Sequence, residues 1–199
     1  MRPLVLATED VLSEAVGRRL VVEANSGLTV AQALGRRGFG YLRSKVRNFC
    51  ELARVTPVLL LTDLDDADCP PALIEDWADR DQVPPLLLFR VAVRQIESWL
   101  LADREGVAGL LGINAANISR DPDALPDAKS ELLRLAQRAR RDVKGDLVKQ
   151  VGSIAAQGIG YNAVLCDFVR TRWNPTRAAG QSNSLARARK RLADLAAAG

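Results

Sequence analysis

TPVLLLTDLDDADCPP (56–71) runs four apolar residues, Val58 to Leu61, into four aspartates within six positions: Asp63, Asp65, Asp66 and Asp68. An apolar run that does not alternate with polar residues is the pattern of a strand covered on both faces. An acidic exit from such a strand marks the sheet edge where loops gather function. RPLVLAT (2–8) and PPLLLFRVAV (84–93) share this unalternating character, and the segments after them change to helical periodicity. The three strands predict an α/β fold with a mostly parallel sheet flanked by helices.

Working outward, EDVLSEAVGRRLV (9–21) carries an apolar helical stripe, and GRRGFGYLRSKVRNFCELAR (35–54) is helical with one basic face. RQIESWLLADREGVAGLLGI (94–113) continues as helix, and residues 114–125 read as a loop. DAKSELLRLAQRARRD (127–142), YNAVLCDFVRTRW (161–173) and LARARKRLADLAAA (185–198) are amphipathic helices, the last with Ser184 as its expected cap. The organisation expected is an α/β core over 1–113 and a helical C-terminal extension over 114–199, packed as one unit. GIG (158–160) lacks the strand-to-helix context of a dinucleotide loop, and a cap on Asn162 is the favoured reading there.

The chain has 199 residues, 28 Lys and Arg, 24 Asp and Glu, and no histidine. Without imidazole there is no His-based triad and no His-ligated zinc. Acid or base chemistry falls to carboxylates, lysine, tyrosine or metal-bound water. Three cysteines, Cys50, Cys69 and Cys166, form no CxxC pair and indicate neither a disulfide framework nor a zinc site. No apolar run reaches the ~20 residues of a membrane span and no signal core opens the chain, so a cytoplasmic location is expected.

The acids fall at the expected sheet edge: Glu9, Asp10 and Glu14 after the first strand, Asp63 and Asp65 after the second, Glu97 in the helix after the third. Carboxylates crowded in a partly dry site repel one another unless a cation balances them. All-oxygen ligation suits Mg²⁺ or Mn²⁺. Asp63, Asp65, Asp10 and Glu14 are the expected metal ligands, and strand alternation would point Asp63 and Asp65 the same way with Leu64 inward. Solvated loop acids and turn formers are the plainer alternative for the D-x-D taken alone.

The stretches EDVLSEAV (9–16), LLLTDLDDADCPP (59–71), RVAVRQIESWLLAD (90–103), DAKSELL (127–133) and GIGYNAVLCDFV (158–169) resemble the Toprim fold, a Rossmann-like sheet. More closely they resemble the small bacterial Toprim-like group called domain of unknown function 4276, related to the overcoming-lysogenization-defect nucleases. The resemblance implies metal-binding roles for Asp63 and Asp65 and an acid/base or metal role for the acid after the first strand. The chain departs from the family pattern Glu-Gly followed by Thr-Glu or Thr-Asp: Ser13-Glu14 matches the second half, which puts Asp10 in the place of the glutamate and Val11 in that of the glycine, and Glu9 substitutes by a one-residue shift, so the first-strand acid is Glu9 or Asp10. Glu97 matches the acid of the IESW segment, which implies a catalytic role for Glu9, Asp10, Glu14 and Glu97 together. A further implication is a Mg²⁺-dependent nuclease, or nuclease subunit, in a phage-defence (abortive-infection) system beside an ABC-type ATPase partner. The alternatives are a non-catalytic recognition subunit of such a complex and a small-molecule phosphohydrolase with Asp63 as nucleophile.

The sequence pI of about 9.2 is concentrated in clusters. Arg36, Arg37, Arg43, Lys45 and Arg47 form one, and Arg187, Arg189, Lys190 and Arg191 close the chain. Such clusters attract the phosphate backbone of DNA or RNA without reading sequence. Solubility or an acidic protein partner explains them as simply. Lys129, which the resemblance marks as lysine, is expected to contact a phosphate near the metals.

Overall fold

The computed structural model describes residues 2–24, 27–79, 83–149 and 155–197. Four parallel strands, β1 (Arg2–Thr8), β2 (Leu28–Gly35), β3 (Val58–Asp63) and β4 (Leu87–Ala92), lie in the order β2-β1-β3-β4. The architecture is a Rossmann-like α/β sheet with a helical C-terminal part. β2 escaped the sequence reading because LTVAQALG has no apolar run; as an edge strand it keeps only Leu28 buried.

Successive residues of β1, β3 and β4 leave on opposite faces, and each face has its own core. Leu4, Leu6, Leu59, Leu61 and Leu88 pack with α1 (Val11–Glu23), α4 (Ile96–Ala102), α5 (Arg104–Leu111), α6 (Ala128–Ala136), α7 (Arg141–Leu147), α8 (Tyr161–Thr171) and α10 (Asn183–Ala197). Val5, Ala7, Val58, Leu60, Leu87 and Phe89 pack with α2 (Phe39–Leu52) and α3 (Pro70–Trp77). Each leucine so enclosed contributes roughly 1.5–3 kcal/mol relative to an exposed one. The unalternating runs have this cause: both faces of β1, β3 and β4 are dry.

Several helical boundaries differ from the periodicity. The 94–113 helix breaks at Asp103, whose side chain caps α5 by accepting the Gly106 N–H. The 127–142 helix ends at Ala136, and α7 starts separately at Arg141. Pro70 and Pro71 open α3 instead of merely ending a turn, because a first-turn proline lacks only an N–H that would have gone unpaired. Ser182, not Ser184, caps α10 through the Leu185 N–H, while Ser184 accepts a hydrogen bond from the Trp99 indole. Gly160, not Asn162, precedes α8. The 158–160 glycines serve close packing on α7: a Cβ at Gly158 would lie 2.2 Å from the Asp146 carbonyl oxygen.

A deeply set ion pair ties the C-terminal helices to the rest. Asp103, with no exposed surface, accepts from the Nε and one terminal nitrogen of Arg177 at 2.5 and 2.9 Å, and from the Asn174 N–H. Arg177 belongs to the short helix α9 (Pro175–Ala179). Among the described residues no helix is long and apolar enough to cross a membrane.

Candidate active site

The carboxyl ends of β1 and β3 lie side by side, because the register pairs Thr8 with Leu61. Glu9, one residue past β1, reaches across to β3, where its Oε1 accepts the backbone N–H of Asp63 at 2.9 Å and the Thr62 hydroxyl. Burial raises the Glu9 pKa more than these bonds lower it, and Asp65 and Asp10 raise it further. Asp63 is pushed well above the usual carboxylate range by burial, then by Glu9, Glu97, Asp65 and Asp10. The structure therefore brings Glu9, Asp10, Asp63, Asp65 and Glu97 into one electrostatic group at the sheet edge.

Each acid is held differently. Asp10 caps α1, its Oδ1 accepting the Ser13 N–H at 2.8 Å. Glu97 is buried in α4 and accepts the Tyr161 hydroxyl at 2.7 Å. Burial raises the Glu97 pKa against the pull of Tyr161 and Lys129. The Lys129 ammonium sits 5.2 Å from the centre of the Tyr161 ring, whose hydroxyl donates to Glu97.

Asp65 departs from the strand expectation. β3 ends at Asp63 and Asp65 has φ +45°, a left-handed conformation, so alternation no longer governs where it points. Leu64 does pack inward, with 2% of its surface exposed. The turn is pinned by Arg94, which the sequence reading did not single out. Its guanidinium donates to the Asp65 and Ala67 carbonyls at 2.9 Å, and its own carbonyl accepts from Leu64 and Asp65.

Glu14 is a correction. It does not join the acid group; it accepts from the Nε of Arg18 at 2.8 Å and the Nε of Arg36, and these partners, Arg36 first, hold its pKa down at about 2. Asp10 precedes α1 and its side chain is taken up by the cap on the Ser13 N–H, while Arg18 and Arg36, the latter from the β2–α2 connection, hold Glu14. Gly35 makes that connection possible. At φ +109° a Cβ there would meet the Thr8 carbonyl oxygen at 2.0 Å.

Basic side chains expected to stand free for nucleic acid are partly engaged. Arg36 pairs with Glu14, Arg43 with Asp76, Arg189 with Glu23, and Lys190 and Arg191 with Asp194. Arg37 lies over the Tyr41 ring at 5.4 Å, and Lys45, Arg47 and Arg187 are exposed. Local acids four or fewer residues away, and partners on neighbouring helices, were the missed signal for these pairs. The exposed pairs of Arg43, Lys190 and Arg191 are worth ~0–1 kcal/mol and leave the helices' net charge in place.

The donor chemistry of the acid group suits a hard divalent cation: its carboxylate oxygens form no ion pair among the described residues for Glu9, Asp63 or Glu97. The spacing does not match a ready ligand set. Among the described residues, no three His, Cys, Asp or Glu side chains are grouped as metal ligands would be.

The fold and the acid group define a Rossmann-like α/β protein with carboxylates converging at the sheet's carboxyl edge. The chain is similar in structure to the C-terminal region of the Burkholderia pseudomallei OLD protein, with TM-score 0.43 and 18% identity over 95% of this chain and 98% of that one. No family model matches the sequence, and none of the curated proteins matches it.

Proposed function

We propose that the chain is a Toprim-like, divalent-metal-dependent nuclease, or the nuclease subunit of a larger complex, that cuts nucleic-acid phosphodiesters. The observation that carries this reading is the adjacency of Glu9 and Asp63 at the carboxyl ends of neighbouring strands, both raised first by burial, Asp63 then by Glu9, and Glu9 by Asp65 and Asp10. Asp63 and Glu9, with Asp65 as the third acid nearby, are the groups that would hold Mg²⁺ or Mn²⁺, although the described residues form no ready ligand set. Bound there, the ion would polarise a phosphoryl oxygen and offset the charge of the carboxylates. Thr62 and the Asp63 N–H orient Glu9, Arg94 positions the turn that carries Asp65, and Lys129 supplies a cation beside Glu97. The basic faces carrying Lys45, Arg47 and Arg187 would engage phosphate backbones. The sequence resemblance supports a role in phage defence beside an ABC-type ATPase.

A second reading is a non-catalytic recognition subunit of that complex. It is favoured by the absence of a ready ligand set and by the withdrawal of Glu14 into arginine pairs. One assay separates the two. Purified protein, alone and with the neighbouring ATPase, is incubated with plasmid DNA and with RNA in Mg²⁺ or Mn²⁺, beside Asp63→Ala and Asp65→Ala. Cleavage by the wild type, lost in both variants, is the expected result. An inert wild type that forms a stable complex with the ATPase overturns it in favour of the recognition subunit.

A further inference from the structure

Beside the acid group, a cavity of about 590 Å³ opens between α1, α8 and the β2–α2 connection, lined by Arg18, Arg19, Arg36, Arg170, Glu14 and the apolar Val11, Ala15 and Val22. Arg19 donates to the Trp173 carbonyl and lies near Glu23, so the excess positive charge rests on Arg18, Arg36 and Arg170 against the one carboxylate of Glu14. Glu14 engages Arg18 and Arg36 only through their Nε atoms, which fixes both side chains and leaves their terminal nitrogens free to donate. Arg170 has no hydrogen-bond or ion-pair partner among the described residues, and the buried Nε of Arg19 has no hydrogen-bond partner. Gathering guanidinium groups around one concavity is unfavourable without a counter-anion, and their fork of donors matches phosphate oxygens.

We propose that this cavity binds a phosphate monoester, held by the terminal nitrogens of Arg18, Arg36 and Arg170, with the organic part of the ligand against Val11, Ala15 and Val22. Glu14 is then a positioning residue that presents two arginines, in place of the metal ligand its sequence position suggested. The cavity's volume suits a nucleotide-sized group. The site does not depend on phosphodiester cleavage; in a nuclease it would seat a terminal phosphate next to Glu9 and Asp10, which lead directly into α1.

The test is fluorescence anisotropy in EDTA, so that binding is read without metal or cleavage. A labelled single strand bearing a 5′-phosphate is compared with its 5′-hydroxyl counterpart, and adenosine monophosphate is used as competitor. Tighter binding of the phosphorylated strand by roughly ten-fold, lost in Arg170→Ala and Arg18→Ala, is the result expected of a nucleic-acid end. Equal binding of both strands, with adenosine monophosphate bound and that binding lost in the same variants, supports the pocket and assigns it a free nucleotide. No phosphate preference and no mononucleotide binding overturns the proposal, as does a preference that survives Arg170→Ala. Arg170 is exposed, so its variant keeps the fold.

Discussion

Glu9 leans from the end of β1 to accept the backbone N–H of Asp63 on β3 at 2.9 Å, which brings two acidic side chains to adjacent strand ends. Burial first, and neighbouring carboxylates second, disfavour the charged forms of both acids, a cost that protonation or, under the reading proposed above, a bound divalent ion would relieve.

Replacing Asp63 by Asn should therefore stabilise the protein at neutral pH. Both acids have folded-state values raised above their ordinary ones, 3.8 for Asp63 and 4.5 for Glu9. The folded state thus holds protons the unfolded chain has released, and stability falls as pH rises through that interval. Thermal unfolding at pH 7 should show a midpoint at least ~2 °C higher for Asp63→Asn, the shift given by about 1 kcal/mol in a chain this long. The gain should vanish near pH 4, where the wild-type acids are already protonated; a lower midpoint at pH 7 would refute that cost.

Glu14 works in the opposite direction. Its folded value of about 2 lies below the ordinary 4.5, so its contribution is complete above pH 4.5 and disappears as pH falls toward 2. The partners Arg18 and Arg36 are half-exposed, and water screens them. Glu14→Gln should cost about 1–2 kcal/mol at pH 7, measured by urea unfolding, with the difference from wild type closing in acid.

Arg177→Ala strips the paired cation from Asp103, a carboxylate with no exposed surface. Removing one partner of an enclosed ion pair typically costs about 3–5 kcal/mol; the hydrogen bonds from Gly106 and Asn174 should keep this case near the lower figure. Chemical denaturation checks it. A loss under ~1 kcal/mol would mean that the helices C-terminal to α5 are held by apolar packing alone.

Gly35→Ala tests the turn that brings Arg36 to Glu14. The new methyl would meet the Thr8 carbonyl oxygen at 2.0 Å in a backbone conformation L-residues rarely adopt, so the turn must shift. The expected loss is more than ~2 kcal/mol, and the Glu14 titration should move up toward the ordinary carboxylate range as Arg36 withdraws; NMR of the Glu14 carboxyl reads both partners' geometry.

How far the sequence reached depended on whether a signal was local. The runs at Leu4–Ala7, Val58–Leu61 and Leu87–Phe89 announce strands enclosed on both faces, since every residue must be apolar when both neighbours are helices. The same runs locate the acids that follow them, Glu9, Asp63 and Glu97, because a parallel sheet puts all its strand exits on one edge. β2 left no such trace, because only Leu28 of it is buried, whereas β4, at the other edge, is covered by helices on both faces. Glu14, Arg36 and Arg94 could not be assigned from the chain either. A helix face does not say which of two acids four residues apart is taken up by a cap and which by a guanidinium 22 positions away. That choice belongs to the Asp10 cap, the Gly35 turn and the Arg94 clasp, contacts between segments that only the folded backbone brings within hydrogen-bond reach.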